Sequence, residues 1–246
     1  MSNYYEALTR LRQDEDPRAA ESSVLSVRDG VKALVPVPTL GQVPAAMARA
    51  GAIRNLSERL APLAVVEGTT RVLVTGCRPG DGASTVATAL AIDLSQRLGL
   101  RTMLVDAHLR HPALHRLLQS PNKRPSELLL DGALQMRATA WPRLELATCC
   151  LSSSDSQGQL IEQFEGLLGT YSAVIADLGV IRLDARMLPL ARRDDPIVAV
   201  VRQGHTERHE LATTAAALRA ASRPIAGVIL NDATDPVAKP LRRLLG

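Results

Sequence analysis

The segment from Arg71 to Leu98 constrains this chain more than any other. Arg71–Thr75 is an apolar run of strand length. A glycine-rich stretch follows: Gly76-Cys77-Arg78-Pro79-Gly80-Asp81-Gly82-Ala83-Ser84-Thr85. Val86, Leu90, Leu94 and Leu98 then recur at helical spacing. Strand, glycine loop and helix in that order make a phosphate cradle. Gly80 and Gly82 let the backbone curl so that successive N–H groups point inward. The helix that starts at Ser84 adds the positive end of its dipole, and the Ser84 hydroxyl is placed to ligate Mg2+. The phosphate-loop (P-loop) pattern asks for lysine after its last glycine; here that residue is Ala83.

The rest of the chain alternates. Strands are expected at Thr102–Val105, Leu144–Ala147, Ala173–Ala176, Ile197–Val201 and Gly227–Leu230. Helices are expected at Ala45–Leu63, Ser84–Leu98, Leu160–Leu168 and Glu207–Ala221. Strand, helix, strand, repeated, predicts an α/β fold: a parallel β-sheet flanked by helices on both faces. The 246 residues suffice for one full core, and hydrophobic residues make up 46%. Aromatics are only 2%. The core is therefore expected to be aliphatic, as suits parallel strands buried on both faces. The same scarcity argues against reading single-stranded nucleic acid by base stacking, and no nucleic-acid partner is expected. The formal charge of +4 comes from scattered basic residues, with short pairs at Arg192-Arg193 and Arg242-Arg243. Three cysteines, two of them adjacent at Cys149 and Cys150, make neither a disulfide framework nor a metal-ligand spacing. They point to a reducing compartment. Residues 1–25 are polar and do not read as a signal peptide. No apolar run approaches the length of a membrane span.

In an open parallel sheet, ligands bind beyond the carboxyl ends of the strands. Those ends carry the glycine loop, Asp106, Asp177 and Asn231. An aspartate after a strand is often only a helix cap. Three polar side chains beside one glycine loop are a binding constellation.

Three regions follow along the chain. Residues 1–13 read as an amphipathic helix: Asn3 and Glu6 form a capping box, and Tyr4, Leu8 and Leu11 share a face. Residues 14–44 read as a linker, stiffened at Pro36, Pro38 and Pro44. Residues 45–246 read as a P-loop nucleotide-binding domain.

These motifs resemble the bacterial tyrosine kinases of capsule and exopolysaccharide synthesis. VLVTGCRPGDGASTVATALA is similar to their phosphate loop, whose usual core is Pro-Gly-Glu-Gly-Lys-Ser-Thr. TMLVDAHLRHPALHRLL is similar to their second motif, an apolar strand ending in Asp and followed by Leu-Arg-Arg-Pro. YSAVIADLGVI resembles their Walker B strand. IVAVVRQGHTERHELATTAAALRAASRPIAGVILND resembles their last strand–helix–strand. SNYYEALTRL is similar to the start of the members that accompany a membrane chain-length regulator. The wider superfamily holds the septum-site and chromosome-partition ATPases of MinD and ParA type.

The resemblance implies ATP and Mg2+ as cofactors. It implies Ser84, Asp106 and Asp177 around the metal, with Asp106 and Asp177 as the catalytic carboxylates. It places Arg78, Gly80, Asp81, Gly82, Ala83, Ser84 and Thr85 around the phosphates, and Asn231 at the adenine. It implies a chain-length regulator of polysaccharide export as partner. Location would be cytoplasmic, at the inner membrane only through that partner. Homo-oligomers are left open, since the Glu-x-x-Arg-x-x-Arg assembly helix of the family is absent.

The departures decide between readings. Ala83 replaces the lysine that follows charge from β- to γ-phosphate. His108 stands where a second acidic residue is usual, and Leu178-Gly179 replaces Thr-Pro. The C-terminal tyrosine cluster is missing; the tyrosines are Tyr4, Tyr5 and Tyr171. The favoured reading is a degenerate, kinase-like regulatory or scaffolding subunit. An active tyrosine kinase with an arginine in place of the lysine is the alternative, and a MinD/ParA-type positioning ATPase is a third. Arg78 occupies the place of the signature lysine of partition ATPases; a solvated loop arginine is the plainer reading. Arg110 could pair with Asp106 or a phosphate. His108, His111 and His115 are explained by their motif without a metal. Cys77 reads as a small loop filler rather than a redox thiol.

Overall fold

The computed structural model describes residues 34–37, 51–109, 112, 114–118, 133–149, 151 and 156–232. The expected helix over residues 1–13, Arg110, His111 and the tail from residue 233 lie outside the described residues. So does most of the 14–44 linker.

Eight strands form one sheet: β1 (Leu34–Val37), β2 (Thr70–Gly76), β3 (Thr102–Asp106), β4 (Leu134–Ala138), β5 (Leu144–Cys149), β6 (Ala173–Val180), β7 (Ile197–Arg202) and β8 (Ile225–Asn231). Their spatial order is β1-β8-β7-β2-β6-β3-β5-β4. All neighbours are parallel except β4 and β5. The helices are α1 (Gly51–Glu67), α2 (Ala83–Gln96), α3 (Leu114–Leu117), α4 (Gln157–Leu167) and α5 (Arg208–Ala220).

β2, β3 and β6 are buried at every position. Covered faces on both sides explain why these strands read as continuous apolar runs and not as alternating patterns. One face packs on α1 and α2 through Ile53, Leu60, Val86, Leu90 and Leu94. The other packs on α4 and α5 through Leu160, Phe164 and Leu218. Among the described residues, Phe164 is the largest fully buried side chain, and the rest of the core is chiefly aliphatic.

Two strands depart from the sequence reading. Leu34–Val37 lies inside the stretch expected to be linker, yet it pairs in parallel with β8 from Leu34↔Val228 to Val37↔Asn231. An edge strand loses little by containing Pro36. β4 is antiparallel to β5, and its half-buried mixture of Leu134, Gln135, Met136 and Arg137 gave no strand signal.

Two polar knots hold the amino-terminal ends of the strands. The Arg71 side chain is 5% exposed and lies 3.0 Å from both Glu165 and Asp195. It also donates to the Leu190 carbonyl and stacks over Phe164 at 5.2 Å. Tyr171 is buried, donates its hydroxyl to Glu145, and lies under the Arg101 guanidinium at 5.0 Å. Burial, then the Glu145 carboxylate, push its phenol up to about 12. Among the described residues, no helix is long and apolar enough to cross a membrane.

The topology also creates a crevice. β2 and β6 are neighbours. The chain leaving β2 crosses by α2 to β3, beyond β6. The chain leaving β6 returns to β7, beyond β2, over the opposite face. Connections that part to opposite sides open the sheet edge between them.

Candidate functional site

Gly76 ends β2, and the loop runs through Gly82 into α2. Gly80 and Gly82 have φ of 91° and 92°. Residues with a Cβ meet a penalty of about 1–2 kcal/mol in that region. Gly82 is the N-cap of α2 and offers no side-chain cap to the helix. The first-turn N–H groups thus keep their capacity for an anion, reinforced by the helix dipole. Ser84 and Thr85 stand half-buried in this turn. Ala83 is 8% exposed, and its methyl joins the core under α2.

Asp81, expected among the cofactor-binding groups, folds back on the loop itself. One carboxylate oxygen accepts the N–H groups of Cys77 (3.0 Å) and Arg78 (2.8 Å). The other accepts the Thr206 hydroxyl. Arg78 is engaged on the α5 side of the loop, where it donates to the His205 carbonyl (3.1 Å) and lies 3.9 Å from Glu210. Its charge is thus already paired. Arg182 reaches the same carboxylate at 3.8 Å and donates to the Cys77 carbonyl at 3.0 Å. Asn231, expected at an adenine, donates Nδ2 to the Asp81 carbonyl at 2.8 Å. Cys77 is fully buried, and burial pushes its thiol up to about 11. A thiol so protonated is inert filler, as its reading as a small residue expected.

Asp106 and Asp177 are register partners on adjacent strands. Side by side in a parallel pair, they project from the same face, the one that carries α2. Asp106 accepts the N–H of Leu114 at 3.0 Å and so caps α3. Asp177 accepts the N–H of Gly179 at 2.9 Å through Oδ1. Its Oδ2 is buried without a hydrogen-bond partner. Burial pushes this carboxyl up, against the smaller effects of the nearby Ser84 hydroxyl, the Gly179 N–H and the His108 ring. The Ser84 hydroxyl and this Asp177 oxygen are hard donors at one strand end, and they fit Mg2+, which takes oxygen ligands and keeps several waters.

Beyond Asp177, β6 carries a bulge against β2: Val74 pairs with Asp177, and Gly76 with Val180. Gly179 takes φ 61° there, and Thr75 plugs the bulge by donating to the Gly179 carbonyl at 3.0 Å. The His108 ring fills the space over Gly179. Thr75, Arg182, Thr206 and Glu210 escaped the sequence reading. The Thr206–Asp81 contact spans 125 residues, and no local pattern marks it.

No protein-family model matches the chain. Tyrosine-protein kinase YwqD of Bacillus subtilis is 28% identical over 172 residues, covering 65% of this chain and 71% of that protein. The tyrosine kinase domain of BceF superposes with a TM-score of 0.59 at 25% identity, over 73% of this chain and 76% of that one. The chain is thus similar to bacterial tyrosine kinases in sequence and in fold. The chimerical protein CapA2B2 shares the fold at a TM-score of 0.70 and 20% identity, over 84% of this chain and 96% of that one. MinD-type P-loop ATPases share it too. The chain carries the glycine loop and both strand-end aspartates, with Ala83 where the P-loop pattern has lysine.

Proposed function

We propose that this chain is a nucleotide-binding, kinase-like subunit of exopolysaccharide or capsule synthesis that regulates or scaffolds rather than phosphorylates. The observation that carries this reading is Ala83. It sits at the head of α2 with its methyl in the core, inside a cradle that is otherwise complete. The glycine turns, the uncapped first turn of α2 and the Ser84–Asp177 donors favour ATP or ADP with Mg2+. The lysine ammonium does more than bind. It stabilises charge that moves toward the leaving oxygen in the transition state, so its absence costs turnover more than affinity. Neither nearby cation is idle, since Arg78 and Arg182 are both held at Glu210.

Docking to a membrane chain-length regulator through residues 1–12 is part of this proposal, as is a place at the cytoplasmic side of the inner membrane. It rests on the sequence resemblance of that segment. Deleting residues 1–12 should abolish co-purification with the regulator; an unchanged pull-down would sink this part.

Calorimetric titration of the wild type and Ala83→Lys with Mg·ADP and Mg·ATP tests the nucleotide reading. Wild-type binding should be measurable, and tighter in Ala83→Lys by about tenfold to a hundredfold, the worth of one charge-assisted contact. A radiolabel transfer assay should show little tyrosine phosphorylation by the wild type. Robust transfer would overturn the non-catalytic reading.

A further inference from the structure

We propose that Asn231 is a positioning residue of the phosphate loop, an inference that rests on the nucleotide-binding reading above. Asn231 closes β8, two strands away from β2. Its side chain reaches back to the loop and donates Nδ2 to the Asp81 carbonyl at 2.8 Å. A carbonyl only accepts, so the amide nitrogen must be the half that faces it. The other half, Oδ1, is sealed in the interior without a partner, and the whole residue is 7% exposed. One of the two Nδ2 hydrogens is thus committed to the loop, and Oδ1 is buried.

The geometry also says what the bond accomplishes. Across a trans peptide, the carbonyl and the following N–H point in opposite directions. Holding the Asp81 carbonyl toward β8 therefore turns the Gly82 N–H the other way. The Asp81 carboxylate is fixed independently by the Cys77 and Arg78 amides and by Thr206. With side chain and carbonyl both anchored, the peptide that precedes α2 is set before any ligand arrives. Gly82 is matched to this arrangement. A Cβ there would lie 2.2 Å from Asn231 Nδ2, and φ is already +92°. The amide occupies the room that a side chain at residue 82 would need.

The full chain, as wild type, Asn231→Ala and Asn231→Asp, is titrated with Mg·ADP and Mg·GDP. Hydrogen exchange is followed in peptides covering residues 77–85 and 102–106 without nucleotide. Both variants should weaken ADP and GDP by the same factor, about tenfold for one lost hydrogen bond. Exchange over 77–85 should accelerate, while exchange over 102–106 stays slow and certifies the fold. Gly82→Ala should weaken both nucleotides alone, and adding Asn231→Ala should cost nothing more, because the two act on one peptide. Loss of ADP affinity with GDP unchanged would identify a base reader and overturn the proposal. Additive losses, or unaltered exchange over 77–85, would overturn it too. If the wild type binds neither nucleotide, the nucleotide reading fails, and the exchange data alone decide whether Asn231 holds the loop.

Discussion

The His108 imidazole rests directly on Gly179: a Cβ at residue 179 would stand 2.4 Å from His108 Cδ2 and 2.5 Å from Cγ. His108 and Gly179 are therefore in direct steric contact, and the lack of a side chain at 179 is what admits the ring.

Gly179→Ala should destabilise the protein through two separable effects. The φ of 61° costs a residue with a Cβ about 1–2 kcal/mol, and the overlap with His108 adds to it. His108→Ala in the same chain should recover the overlap part alone. Urea midpoints for the two single variants and the double variant measure the coupling. A coupling energy of zero would separate the two residues again.

Asp177→Asn should raise the melting temperature of the nucleotide-free protein. Burial disfavours this carboxylate's charged form, and its Oδ2 has no hydrogen-bond partner. The same variant should abolish any extra stability gained on adding Mg·ADP, since the ion loses its anionic ligand. Thermal scans with and without Mg·ADP check both halves. A variant less stable than the wild type without ligand would refute the first.

Alkaline conditions should loosen the fold between pH 9 and 11. The Cys77 thiol moves from an ordinary 9.0 to about 11 because burial opposes its thiolate. In that window the unfolded chain has released the proton and the folded chain still holds it, so stability falls as pH rises. The slope is about 1.4 kcal/mol per pH unit for one such group. Cys77→Ala should flatten the stability profile there. Site-resolved alkylation at pH 8 should leave Cys77 unmodified in the native protein.

Arg71→Ala should cost about 3 kcal/mol, because it strands the buried Asp195 carboxylate and frees Glu165 from one of its two arginines. Arg71→Met keeps the packing on Phe164 and should cost less. Denaturant unfolding of both variants is the measurement, and equal losses would show that packing, not charge, dominates.

The sequence disclosed what depends on runs of neighbours. Apolar strands that end at Asp106 and Asn231 and the glycine spacing before α2 were legible as strand ends and as a strand–loop–helix turn. What it hid depends on contacts between distant segments. Asp81 looks like a phosphate-facing loop residue until Thr206 arrives from the β7–α5 turn, and Arg78 looks free until Glu210 does. β4 was illegible because an edge strand buried on part of one face has no continuous apolar run. β1 was illegible because its proline reads as a linker, though an edge tolerates it.

The buried Tyr171 hydroxyl, tied to Glu145 beneath Arg101, bears on how phosphorylation of this chain would be read. A phosphoryl donor needs a free phenol oxygen, and this one is held by Glu145 on a residue that is 4% exposed. The other two tyrosines of the sequence are Tyr4 and Tyr5. A phosphotyrosine signal on the native chain would therefore carry positional information without sequencing, because it points away from Tyr171.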